Sequence, residues 1–306
     1  MPHDTMRNTG IVQRCGVKLA RPGESAMAPA SQPVQVIAVA GGKGGTGKTT
    51  IAINLSMALA RAGQHVLLLD ADLGMANVDT LLGLEAGSNL GDVLNAGYRI
   101  EETLLEVNDR LRVVPAASGV RQLAAIGPAE CAGLVHAFSE LRQPVDVLVI
   151  DTATGISESV GSFCRAATEV LAVACHEPAS LRDCVSQIRM LSSEYGIRRF
   201  RVLANKVGTA QEARELFDTI LERLQDCHEI ICSFAGFVPE DDHLRNAGRR
   251  HQTVVETFPR SRSAMALNQL AGRIQAWPRP ERPGGHLEFF LERLIDKENV
   301  ELEVTP

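Results

Sequence analysis

A glycine-rich segment carries the clearest chemical signal in this chain. Residues 41–50 read GGKGGTGKTT, and residues 42–49 fit the pattern GxxxxGK[ST]. In such a loop the glycines let backbone N–H groups turn toward phosphate oxygens, the lysine places a charge beside the β- and γ-phosphates, and the hydroxyl binds Mg²⁺. The pattern therefore predicts a nucleotide-binding loop made of Gly42, Lys43, Gly44, Gly45, Thr46, Gly47, Lys48, Thr49 and Thr50.

Carboxylates stand at the ends of two other apolar segments. Asp70 and Asp72 follow the run LLL at residues 67–69, and Asp151 follows VLVI at residues 147–150. The period-2 alternation of a strand puts Asp70 and Asp72 on the same side, although capping of the turn after the strand is an alternative for both. Asp151 has the Walker B form, an apolar strand that ends in a carboxylate able to hold Mg²⁺ through water.

Apolar strand-like segments alternate with amphipathic ones from residue 34 onward. Continuous runs of Val, Ile and Leu between helical patterns are typical of a parallel sheet that is covered on both faces. We therefore expect an α/β fold, with a mostly parallel twisted sheet and helices on both faces. The predicted strands cover residues 34–40, 65–70, 111–115, 145–151, 170–175, 200–205 and 230–238, and the predicted helices cover 48–61, 129–141, 157–167, 180–195, 212–225, 241–250, 263–276 and 286–296.

Composition along the chain predicts four regions. Residues 1–33 are polar and aperiodic, which predicts a disordered leader, and the internal Met6 and Met27 suggest that its start is over-extended. A P-loop domain over 34–276 and a Pro- and Gly-rich linker over 277–285 follow. An amphipathic helix with an acidic tail occupies 286–306, and its apolar stripe could dock on the domain, bind a membrane or partner, or be disordered.

Charge and composition narrow the range of partners. The 306 residues carry a formal net charge of −6 and only 4% aromatic side chains, which weighs against a polybasic or base-stacking nucleic-acid binder. The apolar runs are too short to span a membrane, and no signal-peptide pattern is visible. The seven cysteines include no CxxC pair, so a reducing cytoplasm is expected. Late arginines such as Arg245 and Arg249 are interpreted as a solvated face.

The lysine at position 43 adds a family resemblance. The segment KGGTGKT at residues 43–49 is the deviant Walker A signature, and in it the chain resembles the partition and division-site ATPases of the MinD/ParA family. The resemblance implies ATP and Mg²⁺ as cofactors, slow ATP hydrolysis, and a homodimer in which Lys43 reaches the nucleotide of the second subunit. The residues that it implies are Lys43, Lys48 and Asp72 for catalysis, Asp72 positioning the attacking water, and Thr49, Asp70 and Asp151 for the metal.

The choice of base follows from a short segment near residue 205. Residues 205–208 read NKVG, so the aspartate of the guanine-reading NKxD motif is replaced by Gly208 and GTP is disfavoured. The family resemblance implies an adenine contact from Asn205 and a second contact from Pro239 and Glu240. An asparagine at a strand end also caps turns, and this alternative stays open for Asn205.

Longer segments resemble the FlhG/FleN flagellar-number regulators, a MinD-like group. They are LDADLGMANVD (69–79), VPAASG (114–119), FRVLAN (200–205), FPRS (258–261) and HLEFFLERL (286–294). The resemblance implies an antiactivator of a σ54-dependent flagellar master regulator that limits flagellar number, with DNA contacted only indirectly. It also implies a link to the SRP-type GTPase FlhF, although residues 1–33 lack the DQAxxLR segment that stimulates FlhF. The alternative function is a MinD/ParA-type positioning ATPase that acts on membrane or DNA, which would add a polar or membrane-peripheral location.

Overall fold

The computed structural model describes residues 33–72, 74, 77–116, 128–279 and 288–290. Within them, one eight-stranded sheet has the order β3-β4-β2-β5-β1-β6-β7-β8. Its strands are β1 (Gln35–Ala40), β2 (Val66–Ala71), β3 (Leu105–Asn108), β4 (Leu111–Val114), β5 (Val147–Thr152), β6 (Glu169–Cys175), β7 (Arg199–Val207) and β8 (Ile231–Pro239).

The sheet is parallel except for one hairpin. β3 and β4 pair in the antiparallel sense, and the other neighbouring strands pair in parallel. β1 comes first in the chain but lies between β5 and β6, so the strand order reverses beside it. Ligands of open α/β sheets bind at the carboxyl ends of the strands near such a reversal. The predicted fold class is confirmed.

Helices cover both faces of this sheet. Alternate residues of β1 enter different cores: Ile37 and Val39 pack toward one face, whereas Ala38 and Ala40 pack toward the other, and none of the four is exposed. The helices are α1 (Lys48–Arg61), α2 (Val78–Leu82), α3 (Leu90–Ala96), α4 (Pro128–Ser139), α5 (Glu158–Ala166), α6 (Pro178–Tyr195), α7 (Ala210–Leu224), α8 (Asp242–Arg249), α9 (Val254–Thr257) and α10 (Arg262–Gln275), with a 3₁₀ helix over Ile100–Thr103.

The predicted elements agree closely with the observed ones where both exist. α1 begins and ends at the predicted residues, and the other predicted strands and helices up to residue 276 differ from the structure by at most two residues at either end. The elements that the pattern missed are short, namely β3, α2, α3, α9 and the 3₁₀ helix. Each has between four and seven residues, too few to show a helical or strand period.

The predicted terminal regions lie largely outside the described residues. This is the case for residues 1–32 of the leader, for the linker beyond residue 279, and for most of 286–306. The predicted last helix is wrong at Glu288, Phe289 and Phe290, where the last two residues form a turn and Phe290 has a φ of 58°. The Phe289 and Phe290 rings pack edge-on against Phe138 of α4, with centroids 5.2 and 6.3 Å away. This part of the segment therefore lies against the sheet-and-helix body.

In the described part of the chain, we find no helix that combines the length and the apolar character needed to cross a membrane.

Candidate nucleotide-binding site

The phosphate loop connects the end of β1 to the start of α1, as the motif predicts. Lys48 is the first residue of α1, so the free N–H groups of that helix open toward the loop. Gly45 and Gly47 have φ values of 79° and 91°, a left-handed conformation that favours glycine. The backbone of the loop can therefore curl around an anion at the helix N-terminus.

Gly42 is required for a further reason that the motif does not reveal. A Cβ atom at this position would stand 2.2 Å from the backbone carbonyl oxygen of Asp183 in α6. A Cβ at Gly44, by contrast, would meet no described atom within 4 Å. The loop thus packs directly on α6 through Gly42, and any side chain there would push the two apart.

Lys48 and Thr49 lie beside the carboxylates of neighbouring strands. Lys48 is only 5% exposed; burial lowers its pKa, and the charges of Asp151 and Asp72 raise it. The Thr49 side chain hydrogen-bonds to Asp151. The lysine and the hydroxyl of the motif therefore meet the acidic ends of β2 and β5.

Asp151 provides an acceptor that the described residues do not satisfy. It is 1% exposed, and burial raises its pKa to about 7, against the opposing effect of the Thr49 hydrogen bond. Its Oδ1 atom is buried and has no hydrogen-bond partner among the described residues. A carboxylate oxygen left open beside a threonine hydroxyl is the kind of hard oxygen donor that Mg²⁺ prefers, so Thr49 and Asp151 fit the predicted metal.

Asp70 stands opposite Asp151 in the register of β2 and β5. Unlike Asp151, it has hydrogen-bond donors for both of its carboxylate oxygens. Its Oδ1 accepts from the backbone N–H of Asp72 at 3.1 Å, and its Oδ2 accepts from the N–H groups of Asn77 and Val78 at 3.0 and 3.1 Å. Burial nevertheless raises the pKa of Asp70 to about 6. These bonds support the capping alternative, and a metal role for Asp70 stays a prediction.

In the described part of the chain, His, Cys, Asp and Glu side chains alone do not form a complete coordination shell for a metal ion. No group of three or more His, Cys, Asp or Glu side chains there is arranged to hold a metal ion. This suits Mg²⁺ at a nucleotide site, because the ion commonly takes one or two protein oxygens and completes its shell with phosphate oxygens and water.

Lys43 pairs with an acid of its own chain. Its Nζ atom lies 3.0 Å from Oε2 of Glu177, just before α6, and the two side chains are 41% and 62% exposed. The hydrogen bond from Lys43 lowers the pKa of Glu177. A reach by Lys43 to a second subunit would break this pair, at the small cost that is typical of exposed ion pairs.

A cavity of about 580 Å³ adjoins the phosphate loop and contains the predicted base contacts. Asn205, Pro239 and Glu240, which the family resemblance implies as base contacts, all line it. Arg245 was expected on a solvated face but also lines the cavity, and its Nη1 donates to Oε1 of Glu240 at 2.7 Å. The other lining residues are Gly45, Gly47, Thr50, Leu81, Lys206, Asp241, Leu244, Gly248 and Arg249.

Asn205 connects this cavity to the phosphate loop. Its Nδ2 donates to the carbonyl of Thr46 at 2.7 Å, and a Cβ at Gly47 would come within 2.5 Å of the same nitrogen. Because a carbonyl can only accept, the amide orientation is determined and Oδ1 is the atom left over. That oxygen is buried without a partner among the described residues. The close approach also gives Gly47 a second reason to be glycine.

Together, the central strand that leads into the loop, the buried Lys48, and the Thr49–Asp151 pair define a P-loop nucleotide-binding protein. The CobQ/CobB/MinD/ParA nucleotide-binding domain family matches residues 37–254. The chain therefore belongs to the MinD/ParA family, in its FlhG/FleN-type group.

Individual relatives support this assignment. The antiactivator FleN of Pseudomonas aeruginosa is 46% identical over 263 residues, which cover 86% of this chain and 94% of FleN. The flagellum site-determining protein YlxH of Helicobacter pylori is 25% identical, over 85% and 89% of the two chains. A solved structure of MinD from Pyrococcus horikoshii, complexed with Mg-ADP, is similar with a TM-score of 0.66 at 25% identity, covering 79% of this chain and 96% of that one.

Proposed function

We propose that this chain is an ATP-dependent switch that dimerises with ATP and Mg²⁺ and captures a σ54-dependent flagellar transcription activator. In this way it limits flagellar number, and slow hydrolysis of ATP resets it. The observation that carries the proposal is the 46% identity to the antiactivator FleN over 86% of the chain. A complete set of phosphate-site residues supports the nucleotide-dependent part.

The orientation of the Asn205 amide supports ATP over GTP. Its nitrogen is occupied by the Thr46 carbonyl, so only an acceptor remains for the base. The amino group on C6 of adenine is a donor and complements this oxygen, whereas guanine has a carbonyl there, which would oppose it. Base selectivity then follows from one bond between β7 and the phosphate loop.

The residues of the site have separate tasks in this proposal. Lys48 neutralises phosphate charge, and Thr49 with Asp151 holds Mg²⁺, which supplies further neutralisation of the β- and γ-phosphates when bound. Asp72 positions the attacking water at the end of β2. Lys43 leaves Glu177 and reaches the nucleotide of the second subunit, so that bound ATP favours the dimer.

A pull-down with the immobilised activator tests the proposal. We expect retention of this chain with ATP and Mg²⁺ but not with ADP and Mg²⁺. Lys48→Ala should lose both ATP binding and capture, because the phosphates lose their main cation. Asp72→Ala should bind ATP, run as a dimer in size-exclusion chromatography and keep capture, while turnover falls to background. Equal capture with ATP and ADP, or a monomeric Asp72→Ala with ATP, would contradict the proposal.

A MinD/ParA-type positioning ATPase is the second candidate, favoured by the similarity to the site-determining protein YlxH. It is distinguished by where the ATP-bound protein goes in the absence of the activator. Salt-sensitive retention on DNA, or ATP-dependent sedimentation with anionic liposomes, would favour this candidate.

A further inference from the structure

Two consecutive residues at the end of β7 donate side-chain hydrogen bonds to two consecutive backbone carbonyls of the phosphate loop. Nδ2 of Asn205 donates to the Thr46 carbonyl, and Nζ of Lys206 donates to the Gly45 carbonyl, both at 2.7 Å. The partners of the Lys206 bond are 161 positions apart in the chain. The loop is therefore held from a strand that is remote in sequence.

The backbone at Lys206 has an unfavourable conformation for a lysine. Its φ is 56°, a left-handed value that only three non-glycine residues adopt in the part of the chain that the structure describes. Such a conformation costs a residue with a Cβ about 1 kcal/mol or more, and it persists where the surroundings impose it. Glycine would adopt it without this cost.

A break in the strand ladder places Lys206 in this position. Asn205 stands opposite Val238 and Val207 stands opposite Pro239, so Lys206 is an extra residue without a counterpart on β8. A bulge of this kind redirects a side chain away from the alternation of the strand. Here it turns Lys206 back across the phosphate loop.

Holding these two carbonyls orients the neighbouring N–H groups. In a trans peptide, the C=O of one residue and the N–H of the next point in opposite directions. The bond to the Gly45 carbonyl therefore sets the direction of the Thr46 N–H, and the bond to the Thr46 carbonyl sets that of the Gly47 N–H. These are N–H groups of the loop that the motif assigns to phosphate.

We propose that Lys206 is a positioning residue that shapes the phosphate loop before nucleotide binds. It acts through the Gly45 carbonyl and does not read the base. The inference rests on the proposed function only in that the loop binds a nucleotide. It predicts that loss of the ammonium weakens every ligand with a diphosphate group by the same factor.

Three substitutions at position 206 distinguish the effect of the ammonium group from the effect of the strained backbone. Lys206→Met keeps the stem and the conformational cost but removes the charge, Lys206→Arg restores a cation, and Lys206→Gly removes both the side chain and the cost. The readouts are dissociation constants for ADP, GDP and inorganic pyrophosphate with Mg²⁺, and the melting temperature without ligand.

We expect Lys206→Met to bind ADP and pyrophosphate about tenfold more weakly, with an unchanged ratio of ADP to GDP affinity, and Lys206→Arg to recover at least part of the loss. Lys206→Gly should lose the same affinity while its melting temperature stays at or above that of the wild type. That combination is not expected of a residue that only supports the fold.

Three results would overturn the inference: wild-type affinity in Lys206→Met, a changed ADP to GDP ratio with pyrophosphate unaffected, or a parallel loss of affinity and melting temperature in Lys206→Gly. The proposed function fails separately. A wild-type chain that binds ADP and ATP but never retains the activator would contradict that function and leave the test of Lys206 intact.

Discussion

Asp151 is held in an environment that disfavours a charged carboxylate. The side-chain carboxyl titrates near 3.8 when unperturbed, and burial raises its pKa to about 7 in the folded protein. A group with a raised folded pKa contributes its full stability below the unfolded value and loses it as the pH rises through the folded value. The ligand-free protein should therefore lose stability between about pH 4 and pH 8, in part because of this residue.

Asp151→Asn tests this at the scale of a single residue. Asparagine stays neutral, so at about pH 8 without Mg²⁺ we expect the variant to melt roughly 10 °C above the wild type, on the order of 4 kcal/mol. At about pH 4, close to the unfolded value of 3.8, the two proteins should melt within a degree or two of each other. The charge of Asp70 also raises the pKa of Asp151, so the substitution removes this repulsion together with the buried charge.

Ligand addition provides the control for this prediction. Saturating Mg²⁺ and ATP at about pH 8 should raise the melting temperature of the wild type much more than that of Asp151→Asn, because the cation compensates the carboxylate only in the former. A difference between the two proteins that is the same at both pH values would show that charge is not its cause.

The sequence predicts the loop residues well because their chemistry is local. Residues 42–49 are recognised from spacing alone, and the structure places them after β1 and at the start of α1, with Lys48 as the first residue of the helix. The contacts of Gly42 with Asp183 and of Lys206 with Gly45 are not visible in the sequence, because each joins residues more than 130 positions apart. Both contacts depend on the tertiary structure, so the roles of Gly42 and Lys206 follow from the fold and not from the local sequence.

Among the elements, α8 and α10 are joined at their starts by one carboxylate. Oδ1 of Asp241 accepts from the N–H of His243 at 2.9 Å, and Oδ2 accepts from the N–H and hydroxyl of Ser263 at 3.0 and 2.7 Å. Burial alone would raise the pKa of Asp241, but the hydrogen bonds from Ser263 and His243 outweigh it and hold the pKa well below its usual range. The link therefore needs an ionised Asp241.

Asp241→Ala should lower the free energy of unfolding at neutral pH by about 1–3 kcal/mol, because the donors at two helix starts lose their acceptor. A depressed pKa means that this stability is present above the unfolded value and is lost as the pH falls through the folded value. The gap between wild type and variant should thus narrow in urea titrations run below about pH 4.

Asp242→Ala is the matched control for this link. Asp242 is the next residue, its side chain is 79% exposed, and it pairs with Arg245 at the surface. We expect a change within about 1 kcal/mol for an exposed pair of this kind. A loss as large as that of Asp241→Ala would show that general helix-start charge, and not the link to α10, sets the effect.

Short elements show where sequence patterns fail and what they could have revealed. α3 has only seven residues, yet a capping box stabilises its start. Oδ1 of Asn89 accepts from the N–H of Gly91, and Oδ2 of Asp92 accepts from the N–H of Asn89, both at 2.8 Å. An Asx residue followed three positions later by an acid was a usable signal for that helix. β3 offers none, since its four residues are at most partly buried and pair only with β4.

At the scale of the whole molecule, the order of strands decides what the site contains. The loop after β1, the acids at the carboxyl ends of β2 and β5, and Asn205 on β7 share one edge of the sheet because these strands run parallel. The alternation of strands and helices predicts that sharing, but not the order that puts β1 between β5 and β6. Order depends on long-range pairing, which leaves no local pattern in the chain.

The contact of Phe289 and Phe290 with α4 should contribute measurably to global stability. The two side chains are 3% and 1% exposed, and both rings meet Phe138, which is fully buried. A chain that ends at Arg279 would expose this apolar surface. We expect its free energy of unfolding, measured with urea, to fall by about 3–5 kcal/mol, and we expect it to bind ANS. A chain that ends at Phe290 is the control and should be more stable than the chain that ends at Arg279, because it keeps both rings against Phe138. In the full chain, Phe138→Ala and Phe290→Ala should each lower the free energy of unfolding by a similar amount. The double variant should lose less than the sum of the two single losses, because both substitutions remove the same contact. Equal stability of the two truncated chains would contradict this contribution.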